Sequence, residues 1–407
     1  MHTREFMRRL GNPCQGRKVL HVAGTNGKGS VCAYMQAILL FEGKRVGFFT
    51  SPHLVKLNER IRINGKDIDD DTFCRIFAKV RQVAEELEKE GLEHPSYFEF
   101  LYGMGMLAFE ENDAEYIVLE TGLGGRLDAT NSFEHPFLSV ITSIGLDHTE
   151  ILGDTIEKIA GEKAGIIKKS IPVVIGEGDV RYNEVFEQVA AANKSKVIYA
   201  EKVFSCQECG CREGRQHFCM HRVRDDRKFE VDLDLTGNYQ RHNILTAAAT
   251  VDFLHEETPL TISRRAFLEG TRDAAAITSL AGRWQKLGEN PLVVCDTGHN
   301  PHGIAYVAEQ LKATPHKELY CVIGFVRDKD LAHILPLLPR DAHYIFTQAQ
   351  TERALPAAEL TAKAAIYGLR GETIPEVPAA VAHARELAAA DDMVFIGGST
   401  YVVAEAL

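Results

Sequence analysis

Short, nearly uninterrupted apolar runs alternate with longer stretches of helical periodicity along most of this chain, and that rhythm restricts the fold more than any single motif does. Runs at residues 18–23, 45–50, 116–120, 137–142, 172–176 and 197–199 read as strands. The stretches 29–41, 73–89, 97–110, 155–168 and 183–193 read as helices. A strand that is apolar on both faces needs cover on both, so the alternation predicts a parallel sheet between helical layers. Residues 201–235 break the rhythm and read as an antiparallel excursion, with helical 241–254 after it. A second, shorter series has strands at 292–295, 319–324, 344–347 and 393–397, and helices starting near Pro301, Leu331, Ala357 and Val377. The expected fold class is α/β in two domains, residues 1–284 and 285–407. A hinge is expected near residues 282–291, where Gly, Pro and Asn collect.

With 407 residues, two domains or slightly more are expected, and 45% apolar with 25% charged residues fits a soluble globular chain. No apolar run approaches the roughly 20 residues that cross a bilayer. The first 17 residues carry positive charge without an apolar core behind it, so a secretory signal is not expected. A net charge of −11 argues against a nucleic-acid partner, which needs a basic face. Nine cysteines, an odd number in a chain large enough to fold without cross-links, together with the missing signal suggest reduced thiols in the cytoplasm. A monomer is expected. Four of them, Cys206, Cys209, Cys211 and Cys219, cluster with His217 and His221 between or beside them. That group reads either as a structural Zn2+ site or as a hairpin with incidental thiols.

The stretch GTNGKGS, residues 24–30, stands between a strand and a helix. Glycines there let backbone N–H groups converge on phosphate oxygens, and the helix start adds a partial positive charge. Lys28 is placed to neutralise phosphates, and Ser30 to cap the helix or face a metal. The spelling departs from the usual phosphate loop, with two residues between Gly24 and Gly27 and an extra Gly29 before Ser30. A plain strand–helix turn with an exposed lysine is the alternative.

This loop resembles the nucleotide loop of the Mur ligase family, in particular its folylpolyglutamate synthase and dihydrofolate synthase branch. Further blocks carry the resemblance along the chain: TSPHLVKLNERIRING (50–65), SYFEF (96–100), LETGLGGRLDATN (119–131) and TSIGLDHTEILGDTIEKIAGEKAGIIK (142–168). In the second half come GRWQ (282–285), DTGHNPHG (296–303) and GGSTY (397–401). The cysteine-rich insert is not part of that pattern. The resemblance implies an N-terminal P-loop-type ATPase domain and a smaller Rossmann-like C-terminal domain that carries the glutamate-ligase part.

By resemblance, ATP contacts fall on Thr25, Asn26, Gly27, Lys28, Gly29, Ser30, Asn243, Arg283 and Asp296. Ser51, Glu120 and His148 correspond to ligands of Mg2+, with two metal sites expected and Mn2+ an alternative, since an imidazole suits it as well. Lys163 corresponds to a lysine that is carbamylated in relatives, which requires a neutral amine. His299 falls near the incoming glutamate or the phosphoryl group, and Ser399 near the glutamate. Ser96, Tyr97, Phe98, Glu99, Leu127, Asp128 and Ala129 match segments that contact a pterin. There Tyr97 and Phe98 would offer ring faces and Asp128 a polar edge. Arg126 reads either as a partner for a substrate anion or as half of a surface ion pair. The implied reaction is ATP-dependent, ADP-forming ligation of L-glutamate to dihydropteroate and to reduced folates through an acyl phosphate, with Lys28, His148, Lys163 and His299 as the catalytic group. The competing expectations are a cell-wall ligase acting on a nucleotide-linked precursor and a nucleotide-binding regulator without turnover.

Overall fold

The computed structural model describes residues 2–407. They form two compact units: one built from the segment ending at Ile144, Leu152–Asp234 and Gln240–Leu280, the other from Gly145–Ile151, Leu235–Tyr239 and Ala281–Leu407.

The first unit holds an eight-stranded sheet. Its strands are β1 (Lys18–Ala23), β2 (Val46–Phe49), β3 (Ile61–Ile63), β4 (Lys66–Asp67), β5 (Tyr116–Glu120), β6 (Leu138–Ile141), β7 (Val173–Ile175) and β8 (Val197–Tyr199), in the order β4-β3-β2-β5-β1-β6-β7-β8. All pairs are parallel except β2–β3 and β3–β4. The sequence predicts the six parallel strands and misses β3 and β4, which at three and two residues are too short to give an apolar run. Every residue of β2, β5, β6 and β7 is buried, as a sheet covered on both faces requires. One apolar core of this unit joins Phe6, Phe49, Ile76, Val80, Tyr102, Met104, Phe109 and Leu119. Caps fix where helices start: Asp69 accepts from the Thr72 N–H at 2.7 Å ahead of helix Asp70–Lys89, and Thr155 accepts from the Lys158 N–H at 3.3 Å ahead of Ile156–Ala164. The latter helix ends at Ala164, short of the predicted residue 168.

The antiparallel excursion is a three-stranded sheet, β9 (Phe204–Arg212), β10 (Arg215–Arg222) and β11 (Arg227–Leu233), in the order β11-β10-β9. Here the four-cysteine zinc expectation fails. Side chains alternate across a pleated strand. Cys206 pairs with Met220, which faces the core, while Cys219 stands opposite Gln207 on the other face. Cys209 and Cys219 are joined in a disulfide, Cys206 Sγ points to the Arg241 carbonyl at 3.6 Å, and Cys211 is exposed. The four sulfurs therefore do not surround one point, and two of the thiols expected to be reduced are bonded.

The second unit has a six-stranded sheet of β12 (Gln285–Glu289), β13 (Leu292–Asp296), β14 (Leu319–Ile323), β15 (His343–Gln348), β16 (Gly371–Glu376) and β17 (Met393–Gly397), in the order β12-β13-β17-β14-β15-β16. Only β12 is antiparallel. The stretch expected as a hinge forms this edge strand and its turn into β13. Both outer strands, QKLGE and GETIPE, are polar, and only an edge tolerates the proline of β16.

Candidate active site

Strands β5, β1 and β6 lie side by side with their carboxyl ends level, Val22 beside Glu120 and Ala23 beside Ile141. The segments after these three strands therefore meet at one edge of the sheet, where parallel α/β folds place ligand groups. The loop after β1 is pinned by the segment that follows β6. Thr25 N–H donates to the Ser143 carbonyl at 2.7 Å, and Thr142 Oγ1 donates to the Asn26 carbonyl at 2.6 Å. Gly27 caps helix Lys28–Phe41 with φ 82°, in the left-handed region, and a Cβ there would run into Asn243 Oδ1. A Cβ on Gly24 would likewise strike Thr142 Oγ1. Both glycines are thus required by close approach as well as by dihedral.

Asn243, Gln240, Ser30 and Tyr34 form a buried polar chain behind the loop. Asn243 Nδ2 donates to Gln240 Oε1 at 2.9 Å, Gln240 Nε2 donates to Ser30 Oγ at 3.2 Å, and Tyr34 OH donates to Gln240 Oε1 at 3.3 Å. Lys28 folds over the loop, with Nζ 3.0 Å from the Gly24 carbonyl oxygen and 3.3 Å from that of Thr25. Lys163, only 3% exposed, reaches the same Gly24 carbonyl from its helix at 3.0 Å. Two lysines therefore converge on one turn of backbone. Glu120, 4% exposed at the end of β5, accepts from the Thr50 hydroxyl, and Ser51 follows Thr50 directly. A buried carboxylate bonded to a hydroxyl, with Ser51 next along the chain, offers hard oxygen donors of the kind Mg2+ or Mn2+ prefers.

The residues matched to a pterin divide by role. Ser96 and Glu99 form a capping box on helix Tyr97–Glu111: the Ser96 N–H donates to Glu99 at 2.8 Å and the Glu99 N–H donates to Ser96 Oγ at 3.3 Å. Phe98 packs edge-on against Phe49 at 5.7 Å and covers Gly122, whose added Cβ would lie 2.6 Å from its ring. Asp128 is spent inward. It accepts from the Gly122 N–H at 2.9 Å, the Leu123 N–H at 2.8 Å and the Thr130 N–H at 3.0 Å, and it shapes the 122–130 loop, while burial raises its pKa. Ala129 is buried. Tyr97 and Leu127, 61% and 80% exposed, are the large apolar groups of this set that face outward, with the Arg60 guanidinium 5.6 Å from the Tyr97 ring. Arg126 pairs with Glu162 at 2.7 Å.

In the second unit, His148 and His299 are joined through residues that the sequence reading missed: Asp147, with Lys329 and Asn300 bonded to it. Asp147 is the hub. It accepts from Lys329 Nζ at 2.8 Å, the His148 N–H at 3.0 Å and Asn300 Nδ2 at 3.0 Å, and His299 Nε2 lies 3.5 Å away. Burial acts to raise its pKa, but His299, Lys329 and His148 outweigh that and hold it well below the usual carboxylate range. Burial lowers the pKa of His148, which favours the neutral imidazole that a metal needs. His299 Nδ1 faces the Thr297 carbonyl at 2.9 Å, leaving Nε2 on the Asp147 side. Asp147 stands beside His148 in the quoted TSIGLDHTE block, whereas Lys329 is far along the chain and carries no motif of its own.

Asp296 ends β13 and accepts from Tyr239 OH at 2.6 Å, the Trp284 N–H at 2.8 Å and the Gly298 N–H at 2.7 Å, with burial raising its pKa. Arg283 donates to the Gly282 carbonyl at 3.2 Å and to Thr297 Oγ1. Ser399 caps the last helix, Thr400–Ala406, accepting from the N–H groups of Tyr401 and Val402. The expected site residues thus fall in two groups. Thr25 to Ser30, Ser51, Ser96 to Glu99, Glu120, Leu127 to Ala129, Lys163 and Asn243 belong to the first unit; His148, Arg283, Asp296, His299 and Ser399 belong to the second.

Residues 76–251 match the family model of the Mur ligase middle domain, and residues 282–400 that of the Mur ligase glutamate ligase domain. The chain is 32% identical over 408 residues to a Bacillus subtilis protein named dihydrofolate synthase/folylpolyglutamate synthase, covering 99% of this chain and 92% of that one. Escherichia coli FolC, solved in complex with DHPP and ADP, superposes with a TM-score of 0.86 at 29% identity, covering 100% of this chain and 91% of that chain. A bifunctional folylpolyglutamate synthase/dihydrofolate synthase solved with Mn, AMPPNP and L-glutamate superposes with a TM-score of 0.84 at 30% identity, covering 100% and 92%.

Proposed function

Because this chain belongs to the Mur ligase family, in its dihydrofolate synthase/folylpolyglutamate synthase branch, we propose that it joins L-glutamate to dihydropteroate and to reduced folates at the expense of ATP. The observation that carries the reading is the pinned glycine loop at the edge of β1, with Lys28 folded over it and the Glu120 carboxylate on the neighbouring strand. ADP and AMPPNP in the solved relatives support a nucleotide there.

A carboxylate is a poor electrophile, so the substrate acid must first take the γ-phosphoryl group as an acyl phosphate. The glutamate amine then attacks that carbonyl and phosphate leaves. The chain's own part is binding and charge. The loop backbone holds the phosphates, and Lys28 supplies a cation that offsets charge on the transferring group. Arg283 is proposed as a second such cation, and Asp296 and Asn243 as contacts to the ribose and adenine. Ser51 and Glu120 fit a divalent cation, which when bound adds charge neutralisation at the phosphates. His148 is proposed as a further ligand on the resemblance, supported by the burial that lowers its pKa. His299 is the residue proposed at the incoming amine, held by Asp147 and the Thr297 carbonyl, with Ser399 near the glutamate.

Tyr97 and Leu127, the exposed apolar groups of their segments, are proposed to touch the pterin, while Ser96, Phe98, Glu99, Asp128 and Ala129 shape that surface. Lys163 is proposed to be carbamylated, as in relatives. We place the functional boundary at 284/285 and take the enzyme to be a cytoplasmic monomer; among the described residues no helix is long and apolar enough to cross a membrane. Product analysis by mass spectrometry, with dihydropteroate and tetrahydrofolate offered in parallel with ATP and glutamate, tests the reading. Glutamylated product and equimolar ADP are expected. Turnover with a muramyl nucleotide and none with either pterin would replace it with the cell-wall alternative.

A further inference from the structure

The sheet β9–β11 carries chemistry that the ligase reaction leaves unused. One face is apolar: Phe204, Phe218, Met220, Val231 and Leu233 are buried. The pleat turns His217 and Cys219 to the other face. There Cys219 stands opposite Glu230, and His217 opposite Asp232. The register of β9 shifts against β10 between Gln216 and Phe218, so Cys209 and Gly210 together oppose His217. Such a bulge re-aims a side chain, and it brings Cys209 to the sulfur of Cys219.

His217 is the telling group. It is 1% exposed, its Nδ1 lies 2.7 Å from Asp232 Oδ1, and its Nε2 has no hydrogen-bond partner among the described residues. A buried nitrogen left idle costs stability unless something else occupies it. That nitrogen is 3.5 Å from a Glu230 oxygen, and single ligand atoms of His217, Cys219 and Glu230 lie within 4.8 Å of one another. Ligands at zinc bond lengths stand roughly 3.3–3.8 Å apart in a tetrahedron, so small side-chain shifts would bring these three to one ion, while Cys209 adjoins them through its bond to the Cys219 sulfur. A carboxylate on the far ring nitrogen is the support that orients a metal-bound histidine.

We propose that Cys209, His217, Cys219 and Glu230 form a tetrahedral site for a divalent transition cation such as zinc, and that this site and the Cys209–Cys219 disulfide are alternative uses of the same two sulfurs. Its ligands differ from the four-cysteine set excluded above, since it omits Cys206 and Cys211 and takes a nitrogen and an oxygen instead. A dithiol supplies the two electrons that break the S–S bond. It leaves as its own disulfide, and its two protons pass to Cys209 and Cys219. The cation then displaces both protons to solvent and binds the thiolates, neutral His217 Nε2 and the Glu230 carboxylate. With four protein ligands the site is closed and structural in type. It is independent of the ligase reading.

The test uses the untagged full-length chain, reduced with a phosphine, desalted under nitrogen and titrated with Co2+ alone and then with Zn2+. One equivalent of Co2+ showing a thiolate-to-cobalt absorption band, displaced by Zn2+, is expected for the reduced chain and not for the disulfide form. Cobalt at Glu120 or His148 would lack that band, which keeps the two regions apart. Asp232→Asn should weaken binding about 10–100-fold while retaining the band. Glu230→Gln should weaken it as well, and Cys206→Ser should leave it unchanged. Absence of the band in the reduced chain, an unaltered affinity in both Asp232→Asn and Glu230→Gln, or loss of the band in Cys206→Ser would overturn the proposal.

Discussion

Gly27→Ala should destabilise the first unit through two separable effects, and the geometry says how to separate them. Gly27 has φ 82°, which costs an L-residue roughly 1–2 kcal/mol. The new methyl also meets Asn243 Oδ1, so that side chain must move and give up its 2.9 Å bond to Gln240 inside a buried chain. Losing such a bond costs roughly 1–3 kcal/mol, for a total of roughly 2–5 kcal/mol. In an Asn243→Ala background the collision is gone and only the dihedral cost of roughly 1–2 kcal/mol remains. Urea unfolding without nucleotide reads both values. Far-UV circular dichroism follows the whole chain, and fluorescence of Trp284, the single tryptophan, reports the second unit as an internal reference. The cost of Gly27→Ala should be smaller by about 1 kcal/mol or more in the Asn243→Ala background, a less-than-additive pair. If Gly27→Ala costs the same in both backgrounds, the close approach of Asn243 to the loop is not what demands a glycine.

Glu120→Gln keeps an oxygen for Thr50 but removes the charge, so Mn2+ binding measured by calorimetry and turnover should both fall, the latter on the order of 100-fold, with the urea midpoint little changed. His21, fully buried beside Thr130, has its pKa lowered to about 3 by burial, with Lys168 adding to the effect. The unfolded chain takes up a proton below about 6.5 and the folded chain does not until about 3. This contribution is therefore complete above about 6.5 and is lost as pH falls from there, at up to about 1.4 kcal/mol per pH unit. His21→Gln should reduce that slope by as much as one proton. Intact mass of gently prepared protein should show one added carbon dioxide on Lys163, removed by Lys163→Met; a bare amine in fresh protein would leave Lys163 simply as the donor to the Gly24 carbonyl.

Those parts of the fold that rest on local apolar pattern were legible in the sequence. Tyr116–Glu120 and Asn183–Asn193 have the predicted bounds because an unbroken apolar run and a helical period are local signals. The strands Gly371–Glu376 and Gln285–Glu289 were not legible. An edge strand is held by backbone pairing on one side and needs no apolar run, so its residues read as loop. The glycine loop and Glu120 were readable because each sits in a contiguous block. The hub at Asp147 was not, because its contact with Lys329 spans 182 residues and no local pattern reports it. The cysteines mislead for a related reason: spacing along a strand does not say which face a sulfur takes, and the pleat puts Cys206 away from Cys219.

The second unit borrows two short stretches from earlier in the chain, Gly145–Ile151 and Leu235–Tyr239. Cutting the gene at Ala281 and expressing only the residues from there to Leu407 would therefore yield an incomplete body. Lys329 would be stranded without its countercharge, and the Asp296 carboxylate would lose the phenol that now donates to it. Anyone seeking the glutamate half as a stand-alone fragment would do better to graft both stretches back than to trim at the obvious place.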